Sequence, residues 1–346
     1  MSRTEISEYG EFGLIKHLTE KFKINNPSTE KGVGDDAAVL NYKDKQVLVT
    51  TDLLLEGIHF DLTYAPLRHL GYKAAVVNFS DIYAMNGEPK QITVSLGISK
   101  RFSVEDLDEI YDGIRLACQN YGVDLVGGDT SASLTGLTIS ITCIGEGEKG
   151  KTVYRNGAKP NDLICVSGDL GSAYMGLQLL EREKLVFSGN EDAQPDFDGK
   201  DYILQRQLKP EARRDIILRL REKNIIPTAM MDISDGLSSE LIHICSQSNT
   251  GCRVYEDKIP ISYQAAVMAE ELNMNIVTAA LNGGEDYELL FTVSLEDYDK
   301  VIGIEGIGVI GHITKPELGL NLVGREGEEI ALKAQGWNSL KEEQQK

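Results

Sequence analysis

Carboxylates recur in this chain where apolar runs give out. Gly34-Asp35-Asp36 follows a glycine turn and leads into Ala37-Ala38-Val39-Leu40, and residues 47–51 run into Asp52. Residues 123–126 run into Gly127-Gly128-Asp129-Thr130, and Ala229-Met230-Met231 runs into Asp232-Ile233-Ser234-Asp235-Gly236. An aspartate at a strand end, beside glycine or a hydroxyl, packs poorly. It is well placed to hold a hard cation against a phosphate, because Mg2+ takes oxygen ligands and keeps much of its water. Such segments, far apart in sequence, predict one metal-rich pocket. Asp81 belongs with them. It lies in the otherwise apolar run Ala74-Ala75-Val76-Val77-Asn78-Phe79-Ser80-Asp81-Ile82, where a carboxylate is costly unless paired or metal-bound.

The candidate set is therefore Asp35, Asp36, Thr50, Thr51, Asp52, Asp81 and Asp129. Gly32, Gly34, Gly127 and Gly128 would let backbone amides approach a ligand. Carboxylates alone repel a nucleotide; carboxylates bridged to phosphate by several Mg2+ ions hold one, which suits phosphoryl transfer. Purely structural roles compete at each position: a turn for Asp35 and Asp36, an Asx-turn or N-cap for Asp52, a backbone or arginine partner for Asp81.

These residues need elements to position them. Helical spacing of Phe12, Ile15, Leu18 and Phe22 predicts a helix over 5–25. The first half continues as strand 45–51, helix 66–86 with Pro66 in its first turn, strand 92–98, helix 103–121 capped at Ser103, and strand 137–144. The second unit reads as strand 162–167, helix 170–185, a Gly, Pro, Asn and Asp-rich loop 188–201, helix 210–223, strand 229–231, helix 237–247 and strands 288–293 and 307–313, with a fraying tail at 341–346. The expected organisation is α/β, with domains 1–150 and 151–346 and the aspartates at their interface.

Composition narrows the partners. Across 346 residues, 54 Asp plus Glu face 35 Lys plus Arg, a formal charge of -19, which argues against a nucleic-acid partner. The five cysteines form no C-x-x-C pair, and no run has the length of a membrane span, so a reducing cytoplasm is expected. Gly145-Glu146-Gly147-Glu148-Lys149-Gly150-Lys151-Thr152 matches the P-loop pattern letter for letter. Asn156-Gly157 and Pro160 follow where a helix must begin, and the two glutamates would repel phosphate, so the match is read as a turn.

The ordered motifs Gly-Val-Gly-Asp-Asp-Ala-Ala at 32–38, Thr-Thr-Asp at 50–52, Gly57-Ile58-His59-Phe60, Asn78-Phe79-Ser80-Asp81, Gly127-Gly128-Asp129-Thr130, Asp232-Ile233-Ser234-Asp235-Gly236-Leu237 and Gly283-Gly284-Glu285-Asp286-Tyr287-Glu288-Leu289 resemble the thiamine-monophosphate kinases. These belong to the wider superfamily of aminoimidazole ribonucleotide synthetase and selenophosphate synthetase. The resemblance implies a two-domain fold of that superfamily, with first domains of two copies pairing into a β-barrel in a homodimer. It implies that Asp36, Thr50, Thr51, Asp52, Asp81, Asp129 and Asp232 bind a Mg2+ cluster and that Asp235 holds a further ion. Tyr111, Gly128, Asp129, Arg155 and Ser234 would contact ATP. His59, Glu285 and Trp337 would contact thiamine monophosphate. K+ is a further candidate cofactor. The implied reaction is direct transfer of the γ-phosphoryl group from ATP, with no side-chain nucleophile. One departure is Ala37, where many relatives carry cysteine. The alternatives are another ATP-dependent enzyme of the superfamily and a non-catalytic nucleotide or metal sensor.

Overall fold

The computed structural model describes residues 29–31, 34–189 and 195–335. The helix expected over 5–25, Gly32, Trp337 and the tail lie outside the described residues, as do residues 190–194 of the loop expected over 188–201.

A six-stranded sheet is built by β1 (Thr29–Lys31), β2 (Ala38–Tyr42), β3 (Lys45–Leu55), β4 (Glu88–Ile98), β5 (Asp124–Ala132) and β6 (Thr138–Glu148), in the order β1-β2-β3-β6-β4-β5. Its neighbours are antiparallel except β4 and β5, which run parallel. Against it packs α1 (Leu67–Ala84), and α2 (Val104–Tyr121) packs on α1. The capping box expected at Ser103 is present: Ser103 Oγ accepts from Asp106 N at 3.2 Å, and Asp106 Oδ2 accepts from Ser103 N at 2.8 Å. Helix α1 is buried almost all round, because it also packs on elements of the second half.

The second sheet has seven strands: β7 (Leu163–Ser167), β8 (Ala229–Asp232), β9 (Gly251–Tyr255), β10 (Leu289–Val293), β11 (Ile307–Thr314), β12 (Leu320–Val323) and β13 (Glu329–Ala331), ordered β13-β12-β9-β11-β7-β10-β8. The helices that accompany it are α3 (Ser172–Gly189), α4 (Asp201–Leu208), α5 (Arg214–Glu222), α6 (Leu237–Ser248), α7 (Tyr263–Glu271), α8 (Ile276–Asn282) and α9 (Tyr298–Val301). Strands β7, β8 and β10 are buried along their whole length, which is why they read as unbroken apolar runs. One core joins the halves, with Ile82, Tyr83 and Ile139 in the same buried cluster as Met230, Leu289 and Phe291. Neither sheet closes into a barrel among the described residues.

Two expectations need correction. Asp52 and Asp129 are not at strand ends. Strand β3 runs on to Leu55 because it stays paired with β6, placing Asp52 opposite Ile141, and Asp129 pairs with Ser95 inside β5. The helix expected over 210–223 starts only at Arg214. The preceding turn is held open because Glu211 accepts from Tyr72 and Tyr121 and Arg213 reaches Glu288.

Candidate active site

Three distant segments bring carboxylates to one point. Asp36 precedes β2, Asp81 lies in the last turn of α1, and Asp232 ends β8; each offers an oxygen, and these lie within 4.8 Å of one another. Hydroxyls orient two of them. Thr50 Oγ1 donates to Asp81 Oδ2 at 2.5 Å, and Ser80 Oγ donates to Asp232 Oδ2 at 2.6 Å. Thr50 is buried and Thr51 exposed, as alternation along a strand requires. Thr51 therefore points away from the cluster and bonds Ile141 O at 3.1 Å and Thr142 Oγ1 at 3.0 Å. Asn78, three residues before Asp81 on α1, bonds back to Ala74 O at 3.1 Å and leaves its Oδ1 unpartnered.

Crowded carboxylates suppress one another's ionisation. Burial pushes Asp52 up to about 6. Burial, then the charges of Asp52, Asp232 and Asp36, hold Asp81 well above the usual carboxylate range. Burial and Asp36 push Asp232 up to about 7, against the hydrogen bond from Ser80. Arg155 relieves part of this, with Nε on Asp36 Oδ2 at 2.9 Å and Nη2 on Asp36 Oδ1 at 2.8 Å. Oxygen-only donors, close together and repelling one another, fit a site for hard divalent cations. Because these pKa values are raised above the unfolded carboxylate value, the folded state holds the extra protons between about pH 4 and 7. Stability from this source is present below about pH 4 and lost as pH rises through 7. Mg2+ is accordingly expected to raise the thermal midpoint strongly at about pH 8 and little at about pH 5. Scanning fluorimetry with and without Mg2+ checks this, and an equal rise at both values would contradict it.

The loop after Asp232 is held from two sides. Glu240, buried in the first turn of α6, accepts from Ser234 N at 3.3 Å and Asp235 N at 2.9 Å through one oxygen. Opposite it, Glu285 N donates to Ser234 O at 2.7 Å and Tyr287 N to Ile233 O at 2.9 Å. Ser234 is exposed and Asp235 half-buried. Gly284 sits at φ +73°, and a Cβ there would meet Ser234 O at 2.5 Å, so only glycine lets the loops touch.

The residues expected to meet ATP divide. Tyr111, Gly128 and Asp129 line one open cavity of about 520 Å3, together with Val94 and Thr130. Tyr111 also lines an adjoining cavity of about 900 Å3 with Asp108, Arg115 and Gln119. Both sizes suit a small-molecule ligand. Gly128 is required by close approach, since a Cβ would fall 1.9 Å from Val94 O. Strand β5 is exposed throughout, and Asp129 with it, so within this chain Asp129 does not join the three converging aspartates. Arg155 stands apart from the cavities, paired with Asp36.

On the acceptor side, His59 Nδ1 accepts from Leu55 N at 3.0 Å, which fixes the ring. Glu285 is partly exposed and pairs with Lys73 at 2.8 Å. Sequence reasoning missed Ser80, Tyr287, Lys73, Gln207 and Glu240. Of these, Lys73 carried a signal, a lone lysine in an apolar helix that must find a partner. Tyr287 is buried at φ +50°, and its phenol is held well above its usual range by burial and then by Glu285, Asp52, Asp232 and Asp235.

The P-loop match is no phosphate cradle, as expected, but only residues 149–151 form the expected turn; Gly145–Glu148 belong to strand β6. Gly145 and Gly147 pair within β6, Lys151 Nζ lies 2.9 Å from Glu148, and no helix follows. Lys151→Ala is expected to leave turnover within about twofold of the parent, since an exposed pair of this kind contributes little. A steady-state rate assay decides it.

Residues 34–146 match the family described as AIR synthase related protein, N-terminal domain. Thiamine-monophosphate kinase of Aquifex aeolicus is 36% identical over 303 residues, 88% of this chain and 92% of that protein. That of Bacillus subtilis is 34% identical over 342 residues, 96% and 99% of the two. Among solved structures, AaThiL complexed with AMPPCP and TMP aligns with a TM-score of 0.82 at 32% identity, covering 98% of this chain and 100% of that one.

Proposed function

The chain belongs to the thiamine-monophosphate kinase family, and on that premise we propose that it converts ATP and thiamine monophosphate to ADP and thiamine diphosphate. The observation that carries the reading is the meeting of Asp36, Asp81 and Asp232 within 4.8 Å, with Arg155 beside them. An oxygen of the acceptor's phosphate forms the new bond to the γ-phosphorus. The bond from γ-phosphorus to the bridging oxygen breaks, and ADP leaves with the electron pair. The acceptor oxygen is already ionised, so no general base is needed, and positioning and charge neutralisation supply the rate.

Asp36, Asp52, Asp81 and Asp232, with Thr50 behind Asp81, are the residues that would hold Mg2+, and Asp235 would hold a further ion. When bound, Mg2+ neutralises and orients the phosphates. Thr51 can contribute through its backbone only, because its side chain faces away. Tyr111, Gly128, Asp129 and Ser234 would bind ATP, with Arg155 turning from Asp36 to a phosphate oxygen. His59 and Glu285 would bind the acceptor. Trp337 and K+ stay in the proposal on family likeness alone.

A homodimer is part of the same reading. Strand β5 is an exposed edge carrying Leu125 and Val126, and unpaired edges of this kind recruit another strand. Pairing of two such sheets would give the expected barrel. The proposed domain division falls after residue 150, between the two sheets. No helix among the described residues is long and apolar enough to cross a membrane, and five free, buried cysteines fit a cytoplasmic location.

Incubation of the purified protein with Mg2+, ATP and thiamine monophosphate should yield thiamine diphosphate and ADP in equal amounts. ADP without thiamine diphosphate, or neither product, would overturn the proposal.

A further inference from the structure

Lys73 is the one ammonium set inside the apolar run of α1, and its side chain is only 7% exposed. A charge in that position must be paired. It donates to Glu285 Oε2 at 2.8 Å and to the carbonyl of Gln207 at 3.0 Å. Gln207, on α4, turns its amide so that Nε2 donates to the same Glu285 oxygen at 2.7 Å. Its own Oε1 is then left buried without a partner. Leaving an acceptor unsatisfied is costly, so the orientation of Gln207 is governed by Glu285 and not by its own bonding.

One carboxylate oxygen thus carries donors from two helices. The other, Oε1, makes no hydrogen bond among the described residues, and the side chain is 28% exposed. The backbone beneath is fixed as well. Glu285 has φ +58°, a conformation that a non-glycine residue keeps only when held, and its amide is bound to Ser234 O at 2.7 Å. A carboxylate with one oxygen locked, on a backbone that cannot swing, presents a single oriented acceptor.

We propose that Lys73 and Gln207 are positioning residues that turn Glu285 Oε1 toward the exocyclic amine of the acceptor's pyrimidine ring, and so set the preference for aminopyrimidine acceptors. This rests on the acceptor being thiamine monophosphate. Thiamine monophosphate carries that amine as its neutral hydrogen-bond donor, and a charge-assisted bond from it to a fixed carboxylate oxygen is strong and directional. A site built to receive an N–H rejects an analogue that lacks it, because the carboxylate is then left facing an acceptor. Lys73 also offsets the charge of Glu285, which makes the group selective for a donor and a poor general trap for cations.

The test compares steady-state kinetics of the parent, K73M, Q207L and K73R with thiamine monophosphate and with its 4-oxo analogue, in which the amine is replaced by a carbonyl. K73M and Q207L are expected to raise KM for thiamine monophosphate about tenfold or more, with kcat and KM for ATP within about twofold. The preference for amine over 4-oxo acceptor should shrink by a similar factor, and K73R should restore most of it. KM for thiamine monophosphate unchanged in Q207L, or KM for ATP rising in parallel, would overturn the positioning role. Should K73M not fold, Q207L carries the test, because it removes one donor without removing the buried charge pair. If the parent itself makes no thiamine diphosphate, the proposed reaction fails; if only the variants behave otherwise than expected, the reaction stands and the inference fails.

Discussion

Asp81→Asn is expected to reduce thiamine diphosphate formation by about 10²–10³-fold while making the Mg2+-free protein more stable at about pH 8. The two effects have one origin. Asp81 sits among Asp52, Asp232 and Asp36, each of which opposes its ionisation, and Thr50 is its hydroxyl donor. Asparagine keeps an oxygen for Thr50 and nearly the same shape, but removes one negative charge from the cluster. Without a cation, that charge is only a cost to the fold. With cations and nucleotide in place, it is part of the field that offsets the charge of the transferring phosphoryl group. Rate assays at saturating Mg2+ and ATP, together with thermal scans in chelator, decide the matter. Activity within tenfold of the parent, or a lower midpoint in chelator, would show that Asp81 is a structural carboxylate after all.

Arg206→Ala is expected to cost about 3 kcal/mol of folding stability, the low end for breaking a buried ion pair. Glu288 is 1% exposed and lies against Arg206 Nη1 at 2.9 Å, with Arg213 and Ser167 as its other partners. Arg206 also faces the buried Asp286 at 3.8 Å. Asp286 in turn accepts from Gly171 N at 2.8 Å and Ala173 N at 3.3 Å at the start of α3, and burial pushes it up to about 7. Removing Arg206 would leave both acids short of positive charge beneath the loop that carries Glu285. Arg213 keeps the loss from being larger. Urea unfolding measures the effect. Adding Glu288→Gln to the alanine variant should recover part of the loss, whereas a drop below about 1 kcal/mol would place the pair among weak surface bridges.

The segment Gly283-Gly284-Glu285-Asp286-Tyr287-Glu288-Leu289 explains how much could be read before the fold was known. As a string it marks a family, and residue types alone do not say where its acids go. In the folded chain its side chains go to separate destinations. Glu285 goes to Lys73, Asp286 to the N-terminus of α3 and Glu288 to Arg206 and Arg213, while the buried Tyr287 phenol feels the charges of Glu285, Asp52, Asp232 and Asp235. Positive φ at both Glu285 and Tyr287 breaks the alternation that a strand would impose, which no local pattern announces.

The sequence by itself determined the main elements and the chemistry of their acids. Helices α1, α2 and α6 and strands β3, β4, β6, β7, β8, β10 and β11 were legible, because periodicity, caps and apolar runs are local properties. An aspartate in an apolar helix is conspicuous for the same reason. Tertiary structure alone decided which acids share a point, because distance between remote segments is set by packing and not by spacing along the chain. It brought Asp36, Asp81 and Asp232 together, turned Thr51 away, left Asp129 on an exposed edge, and paired Arg155 with Asp36. It also decided what holds Glu285, since a lysine, a glutamine and a glutamate from three separate segments become partners only when their helices and loop are packed against one another.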